Sequence, residues 1–213
     1  MDWAEGLVTA GPTLIAGLGG ALIGGWLTRK ATIEGIRQAH KLQQEAADKA
    51  EENLIHGFIW SVYEELSVLR DAYMTSVGID VETSQHDEPL VFVYPTHDGF
   101  FAVYNNSSHM VGRVKDGELR RKIISTYTHM KDLLDSFEQN NTQCLELVNH
   151  QKYYIGNEEK YDPKIKERLL EMMGSYANGI REQHRSTKAI LDDLLTYIEE
   201  NTSKPSLQQS EDK

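Results

Sequence analysis

Eight histidines and one cysteine are the residues of this chain best suited to nucleophilic, acid–base or metal chemistry, so their spacing decides what is available. His40, His56, His86, His97, His109, His129, His150 and His184 contain no H-E-x-x-H pair. No two of them stand three or four residues apart, the spacing that sets two imidazoles on one helix face for a metal ion. The phosphate-cradling G-x-x-x-x-G-K-[ST], the nucleophile elbow G-x-S-x-G and the dinucleotide fingerprint are all missing. Cys144 and His150 are six residues apart on a helical stretch and share a face poorly, so Cys144 reads as a buried structural thiol. No catalytic residue, cofactor or metal ligand is expected, and the chain does not read as an enzyme.

The densest group of polar side chains lies in and before Phe100–Arg121. Asn105, Asn106, His109 and Arg113 sit beside aromatic residues, and His97 and Asp98 join them from the preceding Pro95–Gly99 turn. These six could line a ligand or partner site. The simpler reading is a cap that seals the end of a helical bundle, with the asparagines bonding to turn backbone. A bundle nuclease of the HEPN type is disfavoured. Such enzymes place a histidine a short spacer after an arginine; Arg181–His184 is too close for that and Arg121–His129 too distant.

The same segment carries a resemblance. Phe101, Val103, Tyr104, Asn105, Gly112, Glu118, Leu119, Arg120, Ile123 and Tyr127 resemble a motif of uncharacterised bacterial single-pass membrane proteins. The resemblance covers roughly a quarter of the chain and implies one N-terminal membrane helix and a helical cytosolic region. The layout of anchor, stalk and bundle is also similar to that of membrane effectors in bacterial antiviral defence systems.

The elements that must position these residues begin with Leu7–Thr28, which carries no charged residue. As a helix it is about 33 Å long, enough for a ~30 Å hydrocarbon core. Trp3 and Trp26 bracket it at the depths amphipathic rings favour. A secretory signal would have a basic start, but the N-terminus reads MDWAEG. Arg29, Lys30, Arg37, Lys41 and Lys49 all follow the run, so the positive-inside rule predicts residues 1–6 outside and the rest in the cytoplasm of a bacterial inner membrane. Ala16, Gly20 and Gly24 share a helix face and include a G-x-x-x-G, which predicts close self-association in the bilayer.

Residues 29–53, rich in Ala, Gln, Glu and Lys, predict a solvated helical stalk that joins a coiled coil only if the protein oligomerises. Ile55, Ile59, Val62, Leu66, Leu69 and Tyr73 mark an amphipathic helix ending near Val77–Gly78. In the insertion 78–115, Leu90–Tyr94 and Phe100–Tyr104 are β-prone runs around a turn, which predicts a short hairpin or a packed extended loop. Ser107 or Ser108 is placed to cap a helical turn before Met110. Gly117 to about Tyr154 reads as a long helix with Leu119, Ile123, Tyr127, Met130, Leu134, Phe137, Cys144 and Val148 inward and Asn141 interrupting. Asp162–Pro163 starts the last helix, which runs to Asn201. Its stripe includes Ile165, Leu169, Met172, Tyr176, Ile180, Thr187, Leu191, Leu194 and Ile198. Gly174 and Gly179 weaken it unless a neighbour needs the room. Residues 203–213 are expected to be disordered.

The fold class is therefore all-α: an N-terminal transmembrane helix, a stalk and an elongated antiparallel bundle over 54–202. With 33 acidic against 22 basic residues the net charge is −11, which disfavours general nucleic-acid binding. The expected partners are the lipid bilayer and further copies of the chain, with another protein as a further candidate. The expected role is self-association or partner binding, with a membrane-perturbing or pore-forming effector of antiviral defence as the alternative.

Overall fold

The computed structural model describes residues 3–96, 99–155 and 162–204, and side chains from Gly25 onward except Leu27. All regular structure among them is helical, as expected: α1 Trp3–Tyr73, a π-helical turn Met74–Gly78, α2 Ile79–Thr83, α3 Ala102–Val111, α4 Gly117–Tyr154 and α5 Pro163–Asn201. The chain divides into two units, Met1–Asn53 and Leu54–Lys213.

The first unit is the N-terminal part of α1. Its backbone is helical throughout Leu7–Thr28, but most side chains of that run, and those of Ala16, Gly20 and Gly24, lie outside the described ones. Among the described residues no helix is long and apolar enough to cross a membrane. Trp26 near the end of that run and Ile33, Ile36 and Leu42 in the stalk are exposed, and the Lys30 ammonium lies 5.5 Å from the Trp26 ring centre.

The second unit is a helical bundle, and its side-chain bonds give its directions. Between α4 and α5, Tyr197 donates to Asp116, Lys122 pairs with Asp193, Thr187 donates to the His129 carbonyl and Ser136 donates to Gln183. One number falls as the other rises, so the helices are antiparallel. The C-terminal part of α1 runs against α5 in the same sense: Trp60 donates to the Ser203 carbonyl, Tyr63 to Glu199, and Arg70 to Asp192. Between these helices Phe58, Ile59, Trp60, Val62 and Leu66 meet Leu119, Ile123, Tyr127, Leu191, Leu194 and Ile198. Further along, Val81, Leu90 and Tyr94 cover Leu133, Phe137, Ala177 and Ile180.

Helix boundaries follow local chemistry. The Asp116 carboxylate accepts from the Glu118 and Leu119 amides at the start of α4, and Asp162 caps α5 ahead of Pro163, satisfying amides that have no intrahelical partner. The first amphipathic helix does not stop on Gly78. It widens into the π turn, where Gly78 is right-handed, and resumes as α2. A Cβ on Gly78 would lie 2.6 Å from Met74 Sδ and 3.0 Å from a Tyr73 ring carbon, so this glycine serves close packing rather than termination.

The insertion departs most from the expected pattern. No strand occurs among the described residues, so the hairpin does not form. Phe101 adopts left-handed φ/ψ (63°, 41°), and α3 starts at the next residue. Ser107 has non-helical angles (φ −121°, ψ 17°) at a kink within α3, just before the turn that leads to Met110. The amides of Val103 and Tyr104 are taken by Glu65 of α1, at 2.6 and 3.3 Å, and Tyr127 donates to the same carboxylate at 2.6 Å. A buried helix start without a local cap has thus recruited an acid from another helix, which its N-terminal partial charge also favours. Two α5 positions expected inside, Ile165 and Met172, are exposed, while Met173 is in the core. Val148 of α4 is likewise exposed. Ser203 and Lys204, expected to be disordered, pack on α1: His56 and Trp60 bond to the Ser203 carbonyl and the Lys204 ammonium lies over the Trp60 ring. Residues 205–213 lie outside the described ones.

Candidate functional site

The six residues singled out around the insertion do not form a described cluster. His97 and Asp98 lie outside the described residues. Asn105 donates its amide to the Phe100 carbonyl at 3.2 Å, and Asn106 donates to the Ala102 carbonyl at 2.9 Å. Those bonds satisfy local backbone, as a cap requires. His109 is exposed on the same short helix, and Arg113 is exposed in the turn that follows it. Asn105 lines a 360 Å³ surface hollow shared with Thr96, Lys131, Asp135 and Glu138. Of the residues on which the resemblance rests, Tyr104 stacks on Tyr127 with ring centres 3.9 Å apart, and Leu119 and Ile123 are buried.

The buried polar chemistry lies on the other side of the bundle, where α5 presents Asn178, Arg181, His184 and Lys188 to the π turn, α2 and the loop after it. Positions 178, 181, 185 and 188 recur every three or four residues and therefore share a face. His184, 1% exposed, is held from both ring nitrogens. Glu82 lies 3.3 Å from Nε2 and the Tyr73 hydroxyl 2.7 Å from Nδ1. A carboxylate only accepts, so Nε2 carries the hydrogen, and in the neutral ring Nδ1 accepts from Tyr73. Burial keeps the imidazole neutral by pulling its pKa below the usual histidine value, and it pushes the Tyr73 phenol up. Glu82 also pairs with Lys188, and hydrogen bonds from Lys188 and then His184 hold its carboxyl below the usual range.

One turn earlier, Arg181 is 8% exposed. It donates from Nε to Ser84 Oγ at 2.8 Å, from Nη1 to Asn178 Oδ1 at 2.9 Å and from Nη2 to the Glu88 carbonyl. Asn178 in turn accepts from the Asp87 amide at 3.0 Å and donates to its carboxylate at 2.6 Å. Asp87 has a left-handed φ of 63°, and its carbonyl would lie 2.1 Å from a Cβ on Gly174. Gly174 is therefore the residue that lets the loop rest on α5; Gly179 has open space around it. A cavity of 570 Å³ opens beside this loop, lined by Val81, Glu82, Ser84, His86, Asn178, Arg181, Glu182, His184 and Arg185.

A second, apolar cavity of about 50 Å³ lies behind His184 and Tyr73, among Leu69, Phe100, Met130, Leu134 and Phe137. Cys144 is buried as expected, its thiol 3.5 and 3.4 Å from the Leu90 and Phe92 carbonyls. No three potential metal ligands converge among the described residues.

A signal for the α5 cluster does exist in the sequence. The apolar stripe of that helix jumps from Ile180 to Thr187, and the inward position between them holds His184, with Arg181 beside Ile180. A gap of that kind marks buried polar groups that need partners, though not which partners. No family model, curated protein or solved structure matches this chain, so what it does must be read from these contacts.

Proposed function

We propose that this is a single-pass membrane protein, anchored by Leu7–Thr28 with its helical bundle in the cytoplasm of a bacterium, that works by self-association or by binding a protein partner. The observation that carries the reading is the coincidence of an uncharged run of membrane length with unbroken helical backbone, followed directly by the basic flank Arg29–Lys30. A helix satisfies its own backbone groups, which a hydrocarbon environment demands. Self-association is supported by the stalk, where Ile33, Ile36 and Leu42 expose apolar surface on a helix, and by the small-residue face of Ala16, Gly20 and Gly24. The bundle supplies no nucleophile–base pair in the cluster on α5, which favours binding over catalysis.

Two measurements test it. A reporter enzyme fused after Lys213 is expected to report cytoplasm, and the protein is expected to require detergent; a periplasmic signal, or full recovery without detergent, rejects the anchor. The mass of the detergent-solubilised particle is expected to exceed one chain, and Gly20→Ile with Gly24→Ile is expected to reduce it. A strictly monomeric particle leaves partner binding as the working mode. Growth arrest with dye entry on overexpression would move the reading to a membrane-perturbing effector.

A further inference from the structure

We propose that the cavity beside α2 and the 84–88 loop is a binding site for a small oxyanion-bearing molecule, a phosphate ester or a carboxylate, anchored by Arg181 and Arg185. A buried guanidinium is costly unless its charge and its donors are met. Arg181 is more than nine-tenths buried, and its three direct partners are all neutral: a hydroxyl, a side-chain amide oxygen and a backbone carbonyl. The Glu88 and Asp87 carboxylates act on it through space but make no direct bond to it. Asp87 bonds Asn178 and pairs with His86, and Glu88 accepts from the Gln85 amide. Guanidinium has five N–H donors; the protein bonds take three of them, and Arg181 lines the cavity.

Arg185 lies one turn further along the same helix face and lines the same cavity. Its Nε is tied back to the Arg181 carbonyl at 3.3 Å, which orients the remaining fork. Two arginine forks on one wall suit planar or tetrahedral oxyanions, which take paired N–H bonds. The volume of 570 Å³ is that of a small-molecule site. Glu82 and Glu182 also line it, and they set a second requirement. A bare multivalent anion would meet them unfavourably, whereas hydroxyl or amino groups on the ligand would give them donors. The chemistry that fits is thus one oxyanion group on a body carrying hydrogen-bond donors.

Calorimetric titration of the full chain in detergent tests this with three probes at matched ionic strength: inorganic phosphate, adenosine monophosphate and citrate, with sodium chloride as the blank. Saturable binding of adenosine monophosphate above both phosphate and citrate assigns a phosphate ester, and citrate above the phosphates assigns a carboxylate. The exposed Arg185 can be changed without disturbing the buried bonds, and Arg185→Ala is expected to weaken binding by roughly tenfold, the loss of one charge-assisted pair. Arg181→Lys, checked for fold by circular dichroism, is expected to weaken it further, and Glu182→Gln is expected not to weaken inorganic phosphate. No saturable binding of any probe overturns the proposal, as does Arg185→Ala binding as tightly as wild type. Either result leaves the membrane reading untouched, because the titration does not depend on topology.

Discussion

Two irregular segments are laid onto the long helices of the bundle, and they are fastened by opposite kinds of chemistry. Leu90–Tyr94 lies on α4, where the Asn140 amide donates to the Leu90 and Phe92 carbonyls at 3.1 and 3.0 Å. Asn141 donates to the Tyr94 carbonyl and accepts from its amide. The 82–88 stretch lies on α5 and is fastened by Arg181, His184 and Lys188, through charges and a titratable ring. The first fastening is neutral throughout. Two side-chain amides do for this segment what a neighbouring strand would do in a sheet. The second can change with protonation, and it borders a cavity open to solutes. A neutral clasp is suited to a fixed part of the core, a charged one to a surface that responds to what surrounds it.

The contrast can be broken from either side. The largest effect is expected for Asn140→Ala, since Asn140 is fully buried and its loss removes the donor shared by two buried carbonyls. Destabilisation of about 3 kcal/mol is expected, read as a lower urea midpoint, and it should be the same at every pH where the protein folds. A cost under about 0.5 kcal/mol would show that the Cys144 thiol or water replaces the amide. Gly174→Ala comes next. Its Cβ would collide with backbone, not with a side chain that can swing away, so the 84–88 loop must lift. About 2 kcal/mol is expected, together with faster proteolysis within residues 84–88; an unchanged digestion pattern would reject the close approach.

The smallest effect is the most specific. His184 is faced by Tyr73, Glu82, Lys188 and Arg185, and burial lowers its pKa on folding. Above about pH 6.5 both folded and unfolded chains hold the ring neutral. Below that value the unfolded chain takes a proton that the folded chain resists, so stability declines as pH falls toward the folded value. Glu82, also lowered, adds a second decline below the usual glutamate range. Urea midpoints measured from about pH 8 to pH 5 should fall in wild type below about pH 6.5 and flatten over that lower part of the window in His184→Gln. Parallel curves would remove His184 as the source.

Much of the fold is legible in the residues because it is local. Asp162–Pro163 starts α5 where it should, and the stripes of α1 and α4 place Val62, Leu66, Ile123, Tyr127 and Phe137 inside, as found. The insertion is not legible in the same way. Leu90–Tyr94 has a strand's alternation, with Val91 and Val93 outward, but its partners are Asn140 and Asn141, about fifty residues later. Asn141 reads as an interruption of a stripe because its reason for being there lies in another segment's backbone. The candidate site is hidden for the same cause. Arg181 and His184 look like misfits on α5 until Ser84, Glu82 and Tyr73 are brought to them.

The antiparallel docking of α1 on α5 also bears on how the bundle comes together. Its bonds join residues 111 to 147 positions apart, such as Tyr73 to His184 and His56 to Ser203. Thr187 and His129, which tie α5 to α4, are 58 apart. Closing a chain over the longer separations costs only about 0.8 kcal/mol more, but contacts so distant in sequence slow the search for the native state. During synthesis the apolar stripe of α1 emerges more than a hundred residues ahead of the helix that covers it. That stripe, with Phe58 and Trp60 on it, is the surface the nascent chain must keep from unwanted company until α5 is made.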